Sequence, residues 1–457
     1  MLSHMDTNKT VFRSAASFFS GTMFSRLSGL LRDMAMAYAF GTKPELAAFM
    51  IAFRFAHFFR RFFGEGCLQS AFIPQFEAVR HQDPHRAALL FRDVCWGLAS
   101  FLTVLVVGLL AVLGASLYLV NWKPENAEII QLTMWMLPSL IFICLYGLNT
   151  ALLECEKSFF IPSVAPVMFN IVWASITIFL IQIPIEQAVV ILSIAVILAC
   201  AAQWLATLPL TLKYYKKLGP ESFKPSNFFT VDVKAFVMPL LLANIGIAAS
   251  QLNSALDPLF ARYANAEGPA WLWYAIRMQQ LPMGLFAVSL SGALLPPLAR
   301  AAKRGDWRVY DQLLKAAVHK MLWIMIPATA LCYFFGSAGI ELFFGRGDFG
   351  PESIAATNQC LWGYAIGLIP MSCILLYAPA LYAYNDYKTP SISSGISVTL
   401  SLFLNWLFIM VWEWGAASVA LSTSIAAWVN CLQLSWAIHR KQKARLALEA
   451  AVDIASA

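Results

Sequence analysis

Long apolar segments separated by short polar stretches are the feature that most restricts what this 457-residue chain can fold into. Hydrophobic residues make up 60% of the chain and charged residues only 12%, whereas soluble globular proteins carry about 25% charged residues. A helix needs about 20 apolar residues to cross a bilayer, and the apolar segments fit about twelve such helices. The sequence therefore predicts an all-α polytopic membrane protein with no domain outside the bilayer.

The apolar segments give six predicted spans in each half of the chain. Those of the first half are 14–40, 46–76, 90–120, 128–153, 161–182 and 187–211. Those of the second half are 235–261, 270–298, 311–336, 356–384, 390–411 and 416–438. The resulting division is an N-terminal lobe at 14–212, a cytoplasmic linker at 213–234, a C-terminal lobe at 235–438 and a cytoplasmic tail at 439–457.

The two halves carry similar motifs at a nearly constant separation. Ala71-Phe-Ile-Pro74 at the end of span two matches Ala293-Leu-Leu-Pro296 at the end of span eight. Because each half holds an even number of spans, the repeats are parallel and should be related by a pseudo-two-fold axis along the membrane normal. We therefore expect two six-helix lobes, with a substrate site between them near the midplane.

Lysine and arginine residues cluster in alternate loops, which predicts the orientation. The cation-rich loops include 213–234, 300–308 and 440–445, whereas the intervening loops hold only Lys43, Lys123, Arg262 and Arg346. Short loops rich in Lys and Arg stay in the cytoplasm, so both termini are expected there. Since this topology accounts for much of the net charge of +7, nucleic-acid binding is not inferred.

Several cations lie within the predicted spans themselves. They are Arg26, Arg32, Arg54, Arg60, Arg61, Arg277, Lys315 and Lys320. An arginine at the centre of a spanning helix costs roughly 2.5–3.5 kcal/mol on the insertion scale, so these groups should face water or a partner. Guanidinium groups match phosphate oxygens, and we interpret the arginines as a binding site for a phosphate or diphosphate.

Internal ion pairs are the alternative, for example between Arg32 and Asp33 or between Arg61 and Glu65. The clear intramembrane acids are too few to neutralise all of the arginines. In span two, the polar residues recur as a stripe along one helical face, which would line a cavity or a helix interface. The stripe consists of Arg54, His57, Arg61 and Glu65.

Asp386 lies in the loop Tyr384-Asn-Asp-Tyr-Lys-Thr-Pro390, before span eleven. It could cap that helix, which we favour, or bind a coupling cation, and it is the one candidate metal ligand. The nine cysteines show no metal-ligand spacing, and no cofactor is expected beyond a possible coupling Na⁺ or H⁺.

The motifs of the first two spans closely resemble those of the MurJ (MviN) family of lipid II flippases. They are Ser25-Arg-Leu-Ser-Gly-Leu-Leu-Arg-Asp33, Phe40-Gly41, Arg60-Arg-Phe-Phe-Gly-Glu-Gly66 and Ser70-Ala-Phe-Ile-Pro74. Further matches are Tyr274-Ala-Ile-Arg277, Gly345-Arg-Gly-Asp-Phe349 and Asp386-Tyr-Lys-Thr-Pro390. The resemblance implies a monomeric inner-membrane transporter of bacteria, not an enzyme. It would move lipid II from the inner to the outer leaflet by alternating access, within the multidrug/oligosaccharidyl-lipid/polysaccharide exporter superfamily.

The resemblance also implies roles for individual residues. Substrate-binding residues would be Arg26, Arg32, Arg60 and Arg277. Glu65 matches a glutamate of the family and would be a cavity or gating residue; the charged and polar residues of the spans themselves add Arg54, Arg61, Asp33 and Gln280 to that set. The sequence departs from the family pattern at Ala47, Ile276 and Gln280, where acidic residues are usual, and its twelve predicted spans are two fewer than family members usually carry. These departures leave the gating ion pairs and the exact substrate open.

Three alternatives remain. A flippase of another polyprenyl-linked glycan would share the basic cavity, whereas a drug or cation antiporter of the same superfamily should line its cavity with acids. A membrane-embedded polyprenyl-phosphate transferase would need paired carboxylates for a metal, and the sequence shows no such motif.

Overall fold

The computed structural model describes residues 8–64, 66–219 and 231–456, and within these ranges the chain is helical with no β-strand. The all-α fold predicted from the sequence is therefore confirmed. The helices of the first half are α1 (Asn8–Phe40), α2 (Pro44–Ala56), α3 (Arg60–Phe63), α4 (Cys67–Gln82), α5 (Pro84–Leu119), α6 (Pro124–Met136), α7 (Ser139–Cys155), α8 (Phe160–Val164), α9 (Pro166–Phe179) and α10 (Ile185–Lys217).

The second half contains eight α-helices and two short π-helical turns among its described residues. The helices are α11 (Val231–Ala264), α12 (Gly268–Pro282), α13 (Val288–Lys303), α14 (Trp307–Phe344), α15 (Pro351–Ile366), α16 (Leu368–Ala383), α17 (Lys388–Trp406) and α18 (Ala417–Ser456). The π-helical turns are Met283–Ala287, between α12 and α13, and Leu407–Val411, after α17.

Length and apolar character identify eight candidate membrane spans among the described residues. A ninth arises if α6 and α7, which meet at a bend of 45°, form one broken span. Each predicted span overlaps a helix or a run of adjoining helices. The chain is a multi-pass membrane protein, while the count of twelve spans stays a prediction.

The chain forms two compact units, residues 1–248 and 249–457. The predicted linker is described only at its ends, because residues 220–230 lie outside the described ranges. The predicted tail continues α18 as far as Ser456.

Close backbone contacts organise the interior of the first unit. Helix α7 packs along α10, and its side chains are buried over most of its length. A Cβ atom on Gly147 of α7 would lie 2.0 Å from the carbonyl oxygen of Gly64. Only glycine at position 147 therefore allows the segment between α3 and α4 to lie directly against α7.

The second unit is built around α18, against which α15, α16 and α17 all pack. Ser424 of α18 donates a hydrogen bond to the carbonyl of Gly363 on α15. A Cβ atom on Gly363 would lie 2.9 Å from the Cβ of Ala420. Small residues thus bring α15 and α18 close together, as is typical of membrane helix pairs.

Candidate functional site

Arg32 of α1 is buried inside the first unit, with 6% of its surface exposed. Its Nε and Nη2 atoms donate hydrogen bonds to Oδ1 of Asp33 at 3.0 and 2.7 Å. Its guanidinium carbon lies 4.7 Å from the ring centroid of Trp173 on α9. The internal ion pair considered as an alternative is therefore present here, and phosphate binding by Arg32 stays a prediction.

Asn170 of α9 connects this ion pair to the rest of the α1 motif. Its side-chain oxygen accepts a hydrogen bond from Arg32 Nη1 at 3.1 Å. Its amide nitrogen donates to the Ser28 hydroxyl at 2.9 Å and to the Ser25 carbonyl at 3.3 Å. The motif Ser25–Asp33 is thus held against α9 by one amide side chain, which sequence reasoning did not identify.

Span two is broken at its centre, which changes the predicted polar stripe. Helix α2 ends at Ala56, with His57 as its C-cap, and α3 begins only at Arg60. Because the helical phase is interrupted there, Arg54 and Arg61 do not share one continuous helical face. The prediction of a continuous stripe is therefore wrong, and its last member, Glu65, lies outside the described residues.

His57 is held at this break by neighbours on three elements. Its Nδ1 lies 3.0 Å from the Phe53 carbonyl, which can only accept, so Nδ1 carries the proton. Its Nε2 lies 3.3 Å from the Ser139 hydroxyl and 3.8 Å from the Cys200 sulfur. The ring also packs on Phe53 at a centroid distance of 4.2 Å. His57 thus ties the break to α7 and α10.

The other predicted cations of the first unit differ in exposure. Arg26 on α1 and Arg61 on α3 are exposed, whereas Arg54 and Arg60 are partly buried. Gly66, which follows α3, has a φ of +75°, a conformation that favours glycine. A second interruption of span two, between α3 and α4, therefore contains a glycine turn.

Arg277 lies in the second unit on α12, and its contacts with Gln280 and Trp273 orient it. Its Nη1 donates a hydrogen bond to the side-chain oxygen of Gln280 at 3.2 Å. Its guanidinium carbon lies 4.8 Å from the Trp273 ring centroid. Since Gln280 is neutral, this hydrogen bond orients Arg277 without cancelling its charge. The π-helical turn Met283–Ala287 follows closely, and such turns are frequent at functional sites.

Asp257 of α11, an acid within predicted span seven, forms part of a buried polar network. Asn405 donates to its Oδ1 at 2.8 Å and Asn253 donates to its Oδ2 at 3.0 Å. Ser422 of α18 in turn donates to the Asn405 side chain. The network joins α11, α17 and α18, and its neutral members carried no signal in the sequence.

Asp386, the candidate metal ligand, makes the contacts of a helix cap. It accepts hydrogen bonds from the Thr389 backbone N–H at 3.0 Å and from the Thr389 hydroxyl at 2.8 Å. It also lies 2.9 Å from the Lys441 ammonium. Desolvation raises the pKa of Asp386, but these hydrogen bonds and the lysine charge outweigh it, so the pKa lies below its usual value. A role in binding a cation stays a prediction.

An ion-pair network at the end of α4 was also missed by sequence reasoning. Arg80 pairs with Glu156, which follows α7, and with Glu77 on its own helix, each at 2.7 Å. The three charges connect spans two and four. The spacing of Glu77 and Arg80 was visible in the sequence, but the contact with Glu156 depends on the packing of the two helices.

Comparison with known proteins identifies the family. Residues 36–457 match the family model described as lipid II flippase MurJ. A protein of Chlamydia trachomatis serovar D, named probable lipid II flippase MurJ, is 31% identical over 431 residues. That match covers 93% of this chain and 77% of the relative.

Solved structures show the same fold. A structure of lipid II flippase MurJ in an inward closed conformation matches with a TM-score of 0.78 and 24% identity, covering 92% of this chain and 87% of that one. An inward-facing multidrug resistance MATE family transporter of the MOP superfamily matches with a TM-score of 0.69 and 15% identity, covering 93% of this chain and 98% of that one. The family model matches residues 36–457, which is most of the chain, and the chain is therefore a member of the lipid II flippase MurJ family.

Proposed function

We propose that this protein moves lipid II from the inner to the outer leaflet of the bacterial inner membrane by alternating access. Membership of the lipid II flippase MurJ family supports the substrate. The protein would act as a monomer with both termini in the cytoplasm. It would carry the diphosphate head group through the bilayer while the prenyl tail stays in lipid.

The observation that carries the proposal is the setting of Arg277. A permanently charged guanidinium lies within span eight and is oriented by an amide and an indole. Such a group can form charge-assisted hydrogen bonds with phosphate oxygens, which are stronger than neutral ones. We therefore assign Arg277 to the diphosphate.

In the first unit, we assign Arg26 and Arg60 to substrate binding and Arg54 and Arg61 to the cavity. Arg26 and Arg61 are exposed and thus open to a ligand. Arg32 is paired with Asp33 in this conformation. Its proposed contribution is to hold α1 against α9, and to meet the substrate only in a state where that pair opens.

The membrane potential would assist export. Moving one elementary charge across 100 mV is worth about 2.3 kcal/mol, so two negative charges leaving a negative interior gain roughly 4–5 kcal/mol. The return of the empty carrier would be driven separately, by a coupling cation such as Na⁺ or H⁺.

The test is flipping of a fluorescent lipid-linked diphosphate in proteoliposomes. Arg277→Ala should lose most of the activity. Arg277→Lys should keep part of it, because lysine retains the positive charge but lacks the planar pair of N–H donors of a guanidinium. Arg304→Ala, which removes an exposed cation after α13, is the matched control. Full flipping by Arg277→Ala would refute the assignment.

A second experiment identifies the substrate. Depletion of the protein in a host should cause lipid II to accumulate in the inner leaflet. Accumulation of a different polyprenyl-linked glycan, with normal lipid II, would instead identify this chain as a flippase of that glycan.

A further inference from the structure

Two lysines within predicted span nine have no part in the proposed transport mechanism. Lys315 and Lys320 lie in the first half of α14 and are both exposed. Helix α14 has 38 residues and is therefore about 57 Å long, far more than the hydrocarbon core, which is about 30 Å thick. Counting about 20 residues back from Phe344 places the inner edge of the core near residue 325. Lys315 thus lies at head-group depth on the cation-rich side.

Helix α18 gives the same depth independently. It begins at Ala417, and about 20 residues from there reach the neighbourhood of Trp436. Trp436 is 64% exposed, and Trp323 of α14 is 69% exposed. Tryptophan is enriched at the membrane interface, so these two side chains mark the inner boundary of the apolar core on both helices.

A cavity of about 240 Å³ lies among α14, α16 and α18 at this level. Its lining combines aliphatic side chains with a lysine, two histidines and neutral polar groups. The lining residues are Leu314, Lys315, Val318, His319, Leu322, Tyr377, Ser435, Ile438, His439 and Gln442.

Hydrogen bonds indicate which ring nitrogen of each histidine carries a hydrogen. Trp323 Nε1 lies 2.8 Å from His319 Nε2, and since an indole can only donate, the neutral His319 ring carries its proton on Nδ1. His439 Nδ1 donates to the Ser435 carbonyl at 2.8 Å. The His319 Nδ1–H is therefore a donor that can serve a ligand beside the Lys315 ammonium.

The carboxylate of Asp311, close to this cavity, is already paired with other groups. Asp311 accepts a hydrogen bond from Gln442 at 2.8 Å and pairs with Arg445. Arg440, whose guanidinium lies 5.5 Å from the Trp436 ring centroid, adds a further positive charge near the interface. The cavity and its rim therefore favour an anion.

We propose that this cavity binds the phosphodiester of an anionic phospholipid in the inner leaflet. Basic pockets between membrane helices on the cytoplasmic side recognise such head groups. Lys315 and the His319 Nδ1–H donate to the phosphate oxygens. The acyl chains lie along the exposed surface near Trp323 and Trp436. The site lies wholly within the second unit and is separate from the arginines assigned to the transported substrate.

The test counts phosphatidylglycerol molecules bound to the purified full chain by native mass spectrometry. Lys315→Met removes the charge and keeps the aliphatic length, and it should weaken the tightest phosphatidylglycerol site about tenfold. Lys315→Arg should restore binding. Arg308→Ala removes an exposed cation from the same helix, outside the cavity, and should leave the site unchanged.

Two competition experiments show whether the bound phosphate group belongs to a lipid or is free phosphate. Phosphatidylcholine should not replace phosphatidylglycerol at this site, and 10-fold excess inorganic phosphate should not displace the lipid. Equal affinity in wild type and Lys315→Met, or an equal loss in Arg308→Ala, would overturn the proposal. Displacement by inorganic phosphate would overturn it as well and would indicate a site for free phosphate.

Discussion

Asp33 accepts two hydrogen bonds from the guanidinium of Arg32, its neighbour along α1, and both side chains are buried. A buried pair of this kind is strongly destabilised when only one partner is removed, because an uncompensated charge remains. The relationship therefore makes α1 sensitive to single substitutions.

We expect Asp33→Ala to reduce the free energy of unfolding by about 3–5 kcal/mol. The double variant Asp33→Ala with Arg32→Met should recover most of this loss, because no charge is then buried alone. Thermal unfolding of the purified protein in detergent measures both. A double variant as unstable as the single one would show that the pair is not the source of the effect.

Gly147→Ala should disturb the interruption between α3 and α4. The new Cβ would meet the Gly64 carbonyl oxygen at 2.0 Å, so the segment that follows Arg60 and Arg61 has to move. We expect flipping in proteoliposomes to fall at least tenfold. Gly108→Ala on α5, where no atom lies within 4 Å of the new Cβ, is the control and should flip normally.

Gln280→Glu should reduce transport by placing a carboxylate beside Arg277. The neutral hydrogen bond of 3.2 Å would become an ion pair that competes with the substrate for the guanidinium. A decrease of about tenfold in apparent substrate affinity corresponds to about 1.4 kcal/mol. Gln280→Met, which removes the hydrogen bond without adding charge, should have the smaller effect. The opposite order would contradict the role assigned to Arg277.

Asn405→Ala should destabilise the second unit, because Asp257 loses the donor at 2.8 Å on its Oδ1. Leaving a buried acceptor without its donor costs about 1–3 kcal/mol. Thr399→Ala, at an exposed position of the same helix, should change the melting temperature far less. Similar melting temperatures for the two variants would exclude a structural role for the Asn405–Asp257 contact.

Asp386 should stabilise the fold only where it is ionised. Its folded pKa lies below its usual value, so its contribution is present above the unfolded pKa of about 3.9. It is lost as the pH falls through the lower, folded value. The difference in melting temperature between wild type and Asp386→Asn should therefore be constant near neutral pH and shrink below about pH 4. A difference that persists unchanged at low pH would exclude this ionisation effect.

The all-α membrane fold was predictable because the length of apolar segments is a local property of the sequence. The alternative of an Arg32–Asp33 pair was also visible, since the two residues are adjacent. Partners from distant helices were not predictable: Asn170 lies 138 positions from Arg32, and Asn405 lies 148 from Asp257. Neutral amides in apolar helices carry no charge signal, and their role depends on tertiary packing.

The prediction of a continuous polar stripe in span two was wrong for a different reason. Helical-wheel arithmetic assumes one unbroken helix, but α2 ends at Ala56 and α3 begins at Arg60. Gly64 and Gly66 lie after this break, so they do not mark its position. Motif similarity, which does not depend on helical phase, favoured Arg60 instead.

The π-helical turn Met283–Ala287 affects how span eight can be mapped in solution. A π turn holds about one residue more than an α turn, and one residue corresponds to about 100° of rotation in an α-helix. The residues from Val288 to Leu294 therefore point about 100° away from the direction that an unbroken helical wheel starting at Gly268 would assign. A cysteine-labelling scan of α13 should show its water-accessible positions displaced by one residue from the pattern extrapolated from α12.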